Sequence, residues 1–269
     1  MRIALLTSQR VPEQDSLTRE CLDLLVRWGV RVDAWHAIGC VELGDVTVEH
    51  DLYLLASPSR AVVSLTTGLA ALGARCLNVP EMVRLCRDRI RTVMLLASAG
   101  VPTPRTWVAG SAEDLIEPLR DGPVVLRSAE MSCSVGAKVL WNVDEVIDLP
   151  LPEGATLAQE VHPNDQYAHR VYRIGHQTFA VKRPCWMAFS SETWEEPVPA
   201  TDEMCEIADR VASMFRSELF GLDLVGAEGR LQVVEVCPFP RLGGVPDAAL
   251  RLADYIYARG MEIAEEVRR

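Results

Sequence analysis

The chain has 269 residues, 49% of them hydrophobic, which is enough to bury a core in one large domain or in two to three small ones. Its formal net charge of −11 argues against a nucleic-acid partner, because binding to phosphates needs a basic face, and gives no support for an anionic membrane surface. No window approaches the about 18 apolar residues of a membrane span, and the first residues have too short an apolar run for a signal peptide.

The eight cysteines form no CxxC pair and no spacing typical of a zinc site. They are scattered through apolar segments, as expected for reduced and buried thiols. We therefore expect a cytoplasmic protein.

The first part of the chain alternates strand and helix signals. Apolar or alternating runs predict strands at 2–7, 30–36 and 51–57, and helical periodicity predicts helices at 16–29 and 61–73. This order predicts a small open α/β sheet. No G-x-G-x-x-G follows the first strand, so a structural or substrate-facing domain is favoured over direct nucleotide contact.

A second region follows, with one predicted helix over 81–100 and an extended Val101-Pro102-Thr103-Pro104 segment. From 105 to 161 the sequence indicates short strands and a polar loop. Beyond it we expect a hairpin over 168–183 that turns near Gly175-His176, and a loop over 184–200. The last elements are a helix over 201–215 capped by Thr201, a hairpin over 219–236 and a helix over 246–266.

Five segments in this order resemble motifs of the ATP-grasp superfamily. They are NVPEMVRLCRDRIRTVMLLASAGVPTPRTW (78–107), GPVVLRSAEMSCSVGAKVL (122–140), AQEV with Asp165 and HRVYRIG, FAVKR, and Asp223 followed after eleven residues by Glu-Val-Cys. The resemblance implies a mixed α/β chain with the ATP-grasp fold. Its expected parts are an N-terminal open α/β domain (1–84), a small central lid domain (85–156) and a C-terminal antiparallel-sheet domain (157–269).

The resemblance also implies a nucleotide site that binds ATP. Arg89 and Arg127 stand where the family usually has lysines, and arginine keeps the charge but offers a bulkier planar fork. The other expected nucleotide contacts are the phosphate loop, the adenine hinge and a ribose acceptor: Ser132, Ser134, Gly136, Gln159, Glu160, Val161 and Asp165. The bland alternatives are a solvated helix face for Arg89 and a turn for Asp165.

The same resemblance implies a Mg²⁺ site at Asp223 and Glu235, whose carboxylates are expected on one face of neighbouring strands. Cys237 replaces the usual Asn of the family and is a doubtful ligand, because a neutral thiol binds a hard cation poorly. Arg170 and Arg183 are expected to contact a substrate carboxylate or the transferred phosphate. The alternative for each of these two arginines is an ordinary ion pair.

Within the superfamily, the chain resembles the carboxylate–amine ligases, including the glutamate ligases that modify ribosomal proteins. The leading hypothesis is an ATP-dependent ligase that forms an amide through an acylphosphate, with small-molecule acid and amine substrates such as an amino acid or a peptide. The segment FPRLGGVPDAALRLADYI (239–256) resembles an element of the inositol phosphate kinases, so a small-molecule kinase is one alternative. A degenerate nucleotide-binding protein is another, and oligomeric state stays open, with a homodimer as one option.

Overall fold

A computed structural model describes residues 1–268 except 9–15, 37–41, 58, 130–136, 148, 150, 152–154, 162–166, 186–193 and 228. Within these residues the chain forms three sheets with helices packed on them. This mixed α/β architecture confirms the predicted fold class.

The first sheet is wholly parallel, in the order β2-β1-β3-β4. Its strands are β1 (Arg2–Thr7), β2 (Arg31–His36), β3 (Leu52–Leu55) and β4 (Cys76–Leu77), and its connecting helices are α1 (Ser16–Arg27) and α2 (Arg60–Ala71). The central strand β1 is apolar and buried along most of its length because helices cover both faces of the sheet. Sequence periodicity did not indicate β4, since two residues are too few to show alternation.

The single helix predicted over 81–100 is wrong, because two helices occupy this range. They are α3 (Pro80–Cys86) and α4 (Arg89–Ser98). The break occurs at Asp88, whose extended backbone and side chain form a cap that accepts a hydrogen bond of 3.0 Å from the N–H of Arg91. The cap starts a new helix at Arg89, which places that side chain in the first turn.

The second sheet is antiparallel, in the order β5-β8-β6-β7, with its own small core. Its elements are β5 (Thr106–Ala109), α5 (Ile116–Asp121), β6 (Val124–Ser128), β7 (Lys138–Leu140) and β8 (Thr156–Glu160). One short 3₁₀ turn lies between β2 and β3, at Leu43–Asp45. Two more lie in the second part of the chain, at Glu113–Leu115 and Val143–Val146.

The third sheet has five antiparallel strands, in the order β11-β10-β9-β12-β13. Its elements are β9 (Tyr167–Ile174), β10 (Gln177–Pro184), β11 (Glu196–Val198), α6 (Asp202–Phe215), β12 (Leu219–Ala227) and β13 (Arg230–Cys237). Both predicted hairpins and the helix form here. The loop predicted over 184–200 needs correction, because β11 lies within it and pairs with β10, while 186–193 lie outside the described residues.

The final helix, α7 (Ala248–Arg268), packs against both the first and the third sheet. Ala253 and Ile256 of this helix are buried in the core of the first sheet, while Leu252 and Tyr255 contact the core beneath β9 and β10. Among the described residues, no helix is long and apolar enough to cross a membrane. The domain boundaries at 84 and 156 remain a prediction.

Candidate functional site

The two predicted metal carboxylates lie opposite each other in one hairpin. Asp223 of β12 pairs with Glu235 of β13, and the register shifts directly after Asp223. Leu222 and Leu224, on either side of Asp223, are wholly buried in the core beneath α6. Because neighbouring side chains on a strand point to opposite faces, Asp223 projects from the face that is not covered by α6.

Two arginines hold Asp223. Arg170 of β9 donates from Nε to Oδ1 and from Nη2 to Oδ2, both at 2.6 Å, in a bidentate pair. Arg183 of β10 reaches across β9 and donates from Nη2 to Oδ2 at 2.8 Å. Only 6% of the Asp223 side chain is exposed, against 22% for Arg170. In this structure, Arg170 and Arg183 therefore form ion pairs with Asp223, which was the alternative to substrate contact for these two residues. Contact with a substrate stays a prediction.

Two further arginines approach Glu235 from the other part of the chain. Nη2 of Arg89 lies 3.7 Å from Oε1 of Glu235, and Nη1 of Arg127 lies 4.0 Å from Oε2. Arg127 also donates to the carbonyl oxygen of Val234 at 3.2 Å, and Arg89 to that of Ser128 at 2.9 Å. These contacts join α4 and the second sheet to the edge of the third, and they do not support a solvated helix face for Arg89.

The six side chains form one cluster, which we call the arginine–carboxylate cluster: Arg89, Arg127, Arg170, Arg183, Asp223 and Glu235. Like charges facing each other across a ladder destabilise a sheet, and here guanidinium groups compensate the two carboxylates. Burial lowers the pKa of Arg127, although the charge of Glu235 opposes this effect. For Arg170, burial also acts to lower the pKa, but the hydrogen bonds and charge of Asp223 outweigh it and raise the value. Proximity to Asp223 thus favours the charged form of Arg170, whereas at Arg127 the effect of burial outweighs that of Glu235.

Cys237 lies on the same side of β13 as Glu235, opposite Gly221 of β12. Its thiol donates to the carbonyl oxygen of Phe239 at 3.3 Å. Burial raises the pKa of this thiol, so the neutral form prevails near neutral pH. A neutral thiol is a weak ligand for a hard cation.

The donor atoms of the cluster decide its fit to Mg²⁺. Asp223 and Glu235 supply carboxylate oxygens from paired positions, which is the donor type that Mg²⁺ prefers. Among the described residues, no group of three or more His, Cys, Asp and Glu side chains has the arrangement of a metal site. The two carboxylates therefore offer the donor type for one ion, which competes for Asp223 with the hydrogen bonds from Arg170 and Arg183.

The predicted adenine hinge lies at the end of β8. Gln159 is buried, and its amide donates to the hydroxyl of Thr106 at 3.3 Å. The N–H groups of Glu160 and Val161 already donate to the carbonyl oxygens of Arg105 and Pro123, at 2.9 and 3.0 Å. These two N–H groups are therefore not the donors that a nucleotide base would use, although their residues stand where the motif places them.

A narrow cavity of about 30 Å³ links this hinge to the arginine–carboxylate cluster. Arg89, Arg127, Gln159 and Glu235 all line it, together with apolar side chains of α4 and β13. This volume admits about one water molecule and is too small for a nucleotide base. The other predicted nucleotide residues, Ser132, Ser134, Gly136 and Asp165, lie outside the described residues.

Two features near the cluster were not singled out in the sequence. The ring of Tyr172 packs on Gly221 between the cluster strands, and burial raises the pKa of its hydroxyl to about 12. Glu195, just before β11, lies so close to Gly243 that a Cβ at this position would overlap its carboxylate. The Gly243-Gly244 pair within FPRLGGVP could have indicated this contact from the sequence, because adjacent glycines are typical of places where another group approaches the backbone closely.

A wider cleft, of about 530 Å³, lies elsewhere. Arg173 of β9 lines it, and its guanidinium pairs with Asp209 of α6 at 2.9 Å. Because Arg173 and Arg170 are three residues apart on one strand, they project from opposite faces of the sheet. None of the predicted site residues lines this cleft, so its size alone does not identify the functional site.

Comparisons with known proteins support the ATP-grasp fold that the sequence motifs predicted. No family model matches the chain. Among solved structures, a RimK domain protein of the ATP-grasp type from Sphaerobacter thermophilus is 19% identical, with a TM-score of 0.74 over 95% of this chain and 99% of that one. D-alanine–D-alanine ligase from Bacillus anthracis, solved in complex with ATP, is 15% identical, with a TM-score of 0.75 over 99% of each chain.

A third structure is the ATP-grasp ligase PsnB in complex with a phosphomimetic variant of a minimal precursor, Mg and ADP. It is 16% identical, with a TM-score of 0.71 over 96% of this chain and 98% of that one. Across nearly the whole length, the chain therefore has the fold of these ATP-grasp ligases, which confirms the fold that the five motifs predicted. At these identities, the similarity establishes fold alone.

Proposed function

We propose that this protein is an ATP-dependent carboxylate–amine ligase that forms an amide bond through an acylphosphate and releases ADP and phosphate. One observation carries the proposal: four arginines and two carboxylates converge between two antiparallel sheets of the ATP-grasp fold. Phosphoryl transfer needs fixed positive charge around the phosphate oxygens and a carboxylate pair for a cation. The arginine–carboxylate cluster supplies both.

The roles divide by position in the fold. Arg89 and Arg127, next to the hinge cavity, are assigned to the phosphates of ATP that remain in ADP. Arg170 and Arg183, on β9 and β10, are assigned to the transferred phosphoryl group and to the substrate carboxylate. Arginine suits these roles because its planar fork binds two oxygens of a phosphate or carboxylate at once.

The proposed reaction has two steps. A carboxylate oxygen of the first substrate attacks the γ-phosphorus, the bond to the β-phosphate oxygen breaks, and ADP leaves. The nitrogen of a neutral amine then attacks the acyl carbon, the bond from carbon to the phosphate oxygen breaks, and phosphate leaves while the nitrogen loses a proton. The protein contributes by positioning the reactants and excluding water.

Asp223 and Glu235 are the residues proposed to hold Mg²⁺, which when bound neutralises charge on the phosphate oxygens. Cys237 adds a poor donor on the same side of the strand. We also propose a cytoplasmic location, since the six described cysteines are all free thiols. The proposed substrates are an amino acid or a peptide and an amine, by analogy with the D-alanine ligase and the precursor-bound ligase.

The test is an ADP-release assay across pairs of amino acids and short peptides, followed by isotope transfer on the pair that responds. The acid substrate is labelled with oxygen-18 in its carboxylate. An acylphosphate route places one labelled oxygen in the released phosphate, because the bond from carbon to that oxygen breaks in the second step. The measurement is the mass of the phosphate product.

The outcomes separate the competing functions. A phosphorylated product with no free phosphate would support the kinase alternative that the FP-x-x-x-G-V-P segment suggests. Nucleotide binding without ADP release across the whole panel would support a degenerate binding protein. Free phosphate without label, formed together with an amide, would contradict the acylphosphate route while leaving a ligase in place.

A further inference from the structure

The contacts of Asp223 have a consequence for the order in which ligands bind. Both of its carboxylate oxygens already accept hydrogen bonds at 2.6 to 2.8 Å, three in total from Arg170 and Arg183. These hydrogen bonds occupy three of the about four lone-pair sites of the carboxylate, so a cation bound to both oxygens competes for the same lone pairs and lies beside the same guanidinium groups. Binding of a metal through both oxygens of Asp223 therefore requires that at least one arginine releases this carboxylate.

Charge favours the same conclusion. The four guanidinium groups of the arginine–carboxylate cluster outnumber its two carboxylates, which leaves an excess of about two positive charges. A bare Mg²⁺ ion would raise this excess to about four, whereas a complex of Mg²⁺ with ATP, which carries about two negative charges, would bring it near zero. The charges of these six side chains thus match the metal–nucleotide complex better than the metal alone.

The residues that hold Asp223 are both arginines, which determines how the carboxylate can be released. A guanidinium stays charged at every pH that a folded protein tolerates, so deprotonation does not free Asp223. Another anion can replace Asp223 on Arg170 and Arg183, and a phosphate group accepts the same bidentate hydrogen bonds from a guanidinium as a carboxylate does. The two ion pairs described for Glu235 are longer, at 3.7 and 4.0 Å.

We propose that Arg170 and Arg183 guard Asp223, so that a divalent cation binds this carboxylate only when a polyphosphate draws the guanidinium groups away. The proposal rests on the nucleotide site of the proposed function. It assigns to the two arginines a second role, which is exclusion of free metal from the empty site.

The test measures binding of Mn²⁺, as a spectroscopic substitute for Mg²⁺, to the full chain without nucleotide by electron paramagnetic resonance. Removing a guard should expose Asp223, so R183Q and R170Q are each expected to bind Mn²⁺ at least about tenfold more tightly than the original protein. Adding D223N to R183Q should abolish the gain, which locates the metal at Asp223. These nucleotide-free measurements carry the test, because a nucleotide binds metal by itself.

Lys182→Gln is the matched control. It removes one positive charge from the residue next to Arg183, but the Lys182 ammonium lies 4.0 Å from the ring of Tyr167 and outside the cluster. Mn²⁺ binding to this variant should equal that of the original protein. An equal gain in the control would overturn the proposal, since net charge alone would then explain the effect.

Two further results would decide against the guard. One is tight Mn²⁺ binding at Asp223 in the original protein without nucleotide, and the other is no gain in R183Q. If R170Q does not fold, R183Q decides alone, because Arg183 makes a single hydrogen bond to Asp223 and its side chain is 21% exposed. Calorimetry with a non-hydrolysable ATP analogue tests the nucleotide site separately, so failure of the proposed function and failure of the guard are distinguishable.

Discussion

Cys237 occupies the position at which the ATP-grasp motif usually has an amide side chain. Its neutral thiol donates to the carbonyl oxygen of Phe239, next to the carboxylates of Asp223 and Glu235. The soft sulfur and the raised pKa make the thiol a poor ligand for Mg²⁺. At the scale of single residues, we therefore expect the proposed site to hold one metal ion well and a second one weakly or through water.

We expect Cys237→Asn to restore a second metal ion, because an amide oxygen is a hard donor of the kind that Mg²⁺ prefers. With a non-hydrolysable ATP analogue present, Mn²⁺ stoichiometry should rise from about one to about two per chain. Electron paramagnetic resonance of the titrated protein measures this number.

Cys237→Ala is the control for this prediction, because it removes the thiol without adding a donor. Its stoichiometry should stay at that of the original protein. Equal metal binding by the Asn and Ala variants, both folded and both binding the analogue, would show that position 237 does not limit the metal site.

The helix α6 packs on the face of the third sheet opposite the arginine–carboxylate cluster. Its apolar stripe of Met204, Ile207, Ala208, Val211 and Phe215 is buried against β9, β12 and β13, on the face opposite Asp223. Thr201 caps the helix, and its hydroxyl accepts a hydrogen bond of 3.3 Å from the N–H of Met204. Acidic residues in the first turn add favourable interactions with the helix dipole. The helix thus holds the strands that carry the cluster without contributing to it.

Thr201→Ala should lower the free energy of unfolding by about 1 kcal/mol, because one N–H of the first turn loses its acceptor. Thermal unfolding should shift by about 2 to 4 °C in a protein of this size. Thr201→Ser keeps the hydroxyl and should unfold like the original protein. Binding of the ATP analogue should be unchanged in both variants, and a loss of binding in the Ala variant would contradict a purely structural role for this cap.

At the scale of the whole molecule, two features join the parts of the chain. The helix α7 buries one face against the first sheet and contacts the core beneath β9 and β10. Asn78, between the first sheet and α3, donates to the carbonyl oxygen of Pro238 and accepts from the hydroxyl of Ser217 at 2.9 Å. The helix α7 thus contacts the first and the third sheet, and Asn78 is hydrogen-bonded to the residue that follows β13, the strand of Glu235. These contacts hold the first sheet against the sheet that carries the site.

Ile256→Ala should lower the free energy of unfolding by about 2 to 4 kcal/mol, because it leaves a cavity at a residue that is 4% exposed between α7 and the first sheet. Leu250→Ala, on the same helix but 43% exposed, should cost less than about 1 kcal/mol. Denaturant unfolding of the three proteins measures the difference. Similar losses for both variants would contradict the packing of α7 on the first sheet.

Several elements followed from the sequence alone because their signals are local. Thr201 and the apolar stripe of α6 predicted that helix, and the turn at Gly175-His176 predicted the β9–β10 hairpin, where Gly175 has a φ of 58°. Signals failed where an element was short or a cap interrupted a pattern. The helical periodicity of the sequence continues past Asp88, so it did not indicate the break between α3 and α4. The strands β4 and β11 have too few residues to show alternation.

For the site, the sequence by itself determined which residue types converge, since the spacing from Asp223 to Glu235 places both on one hairpin and the order of the motifs implies the fold. Only the tertiary structure decided what these carboxylates contact. Arg170 and Arg183 are 53 and 40 residues from Asp223 in the chain, and their hydrogen bonds depend on the order of strands in the sheet. Local patterns carry no information on such long-range pairings, so the hydrogen bonds from the two arginines to Asp223 follow only from the order of strands in the folded sheet.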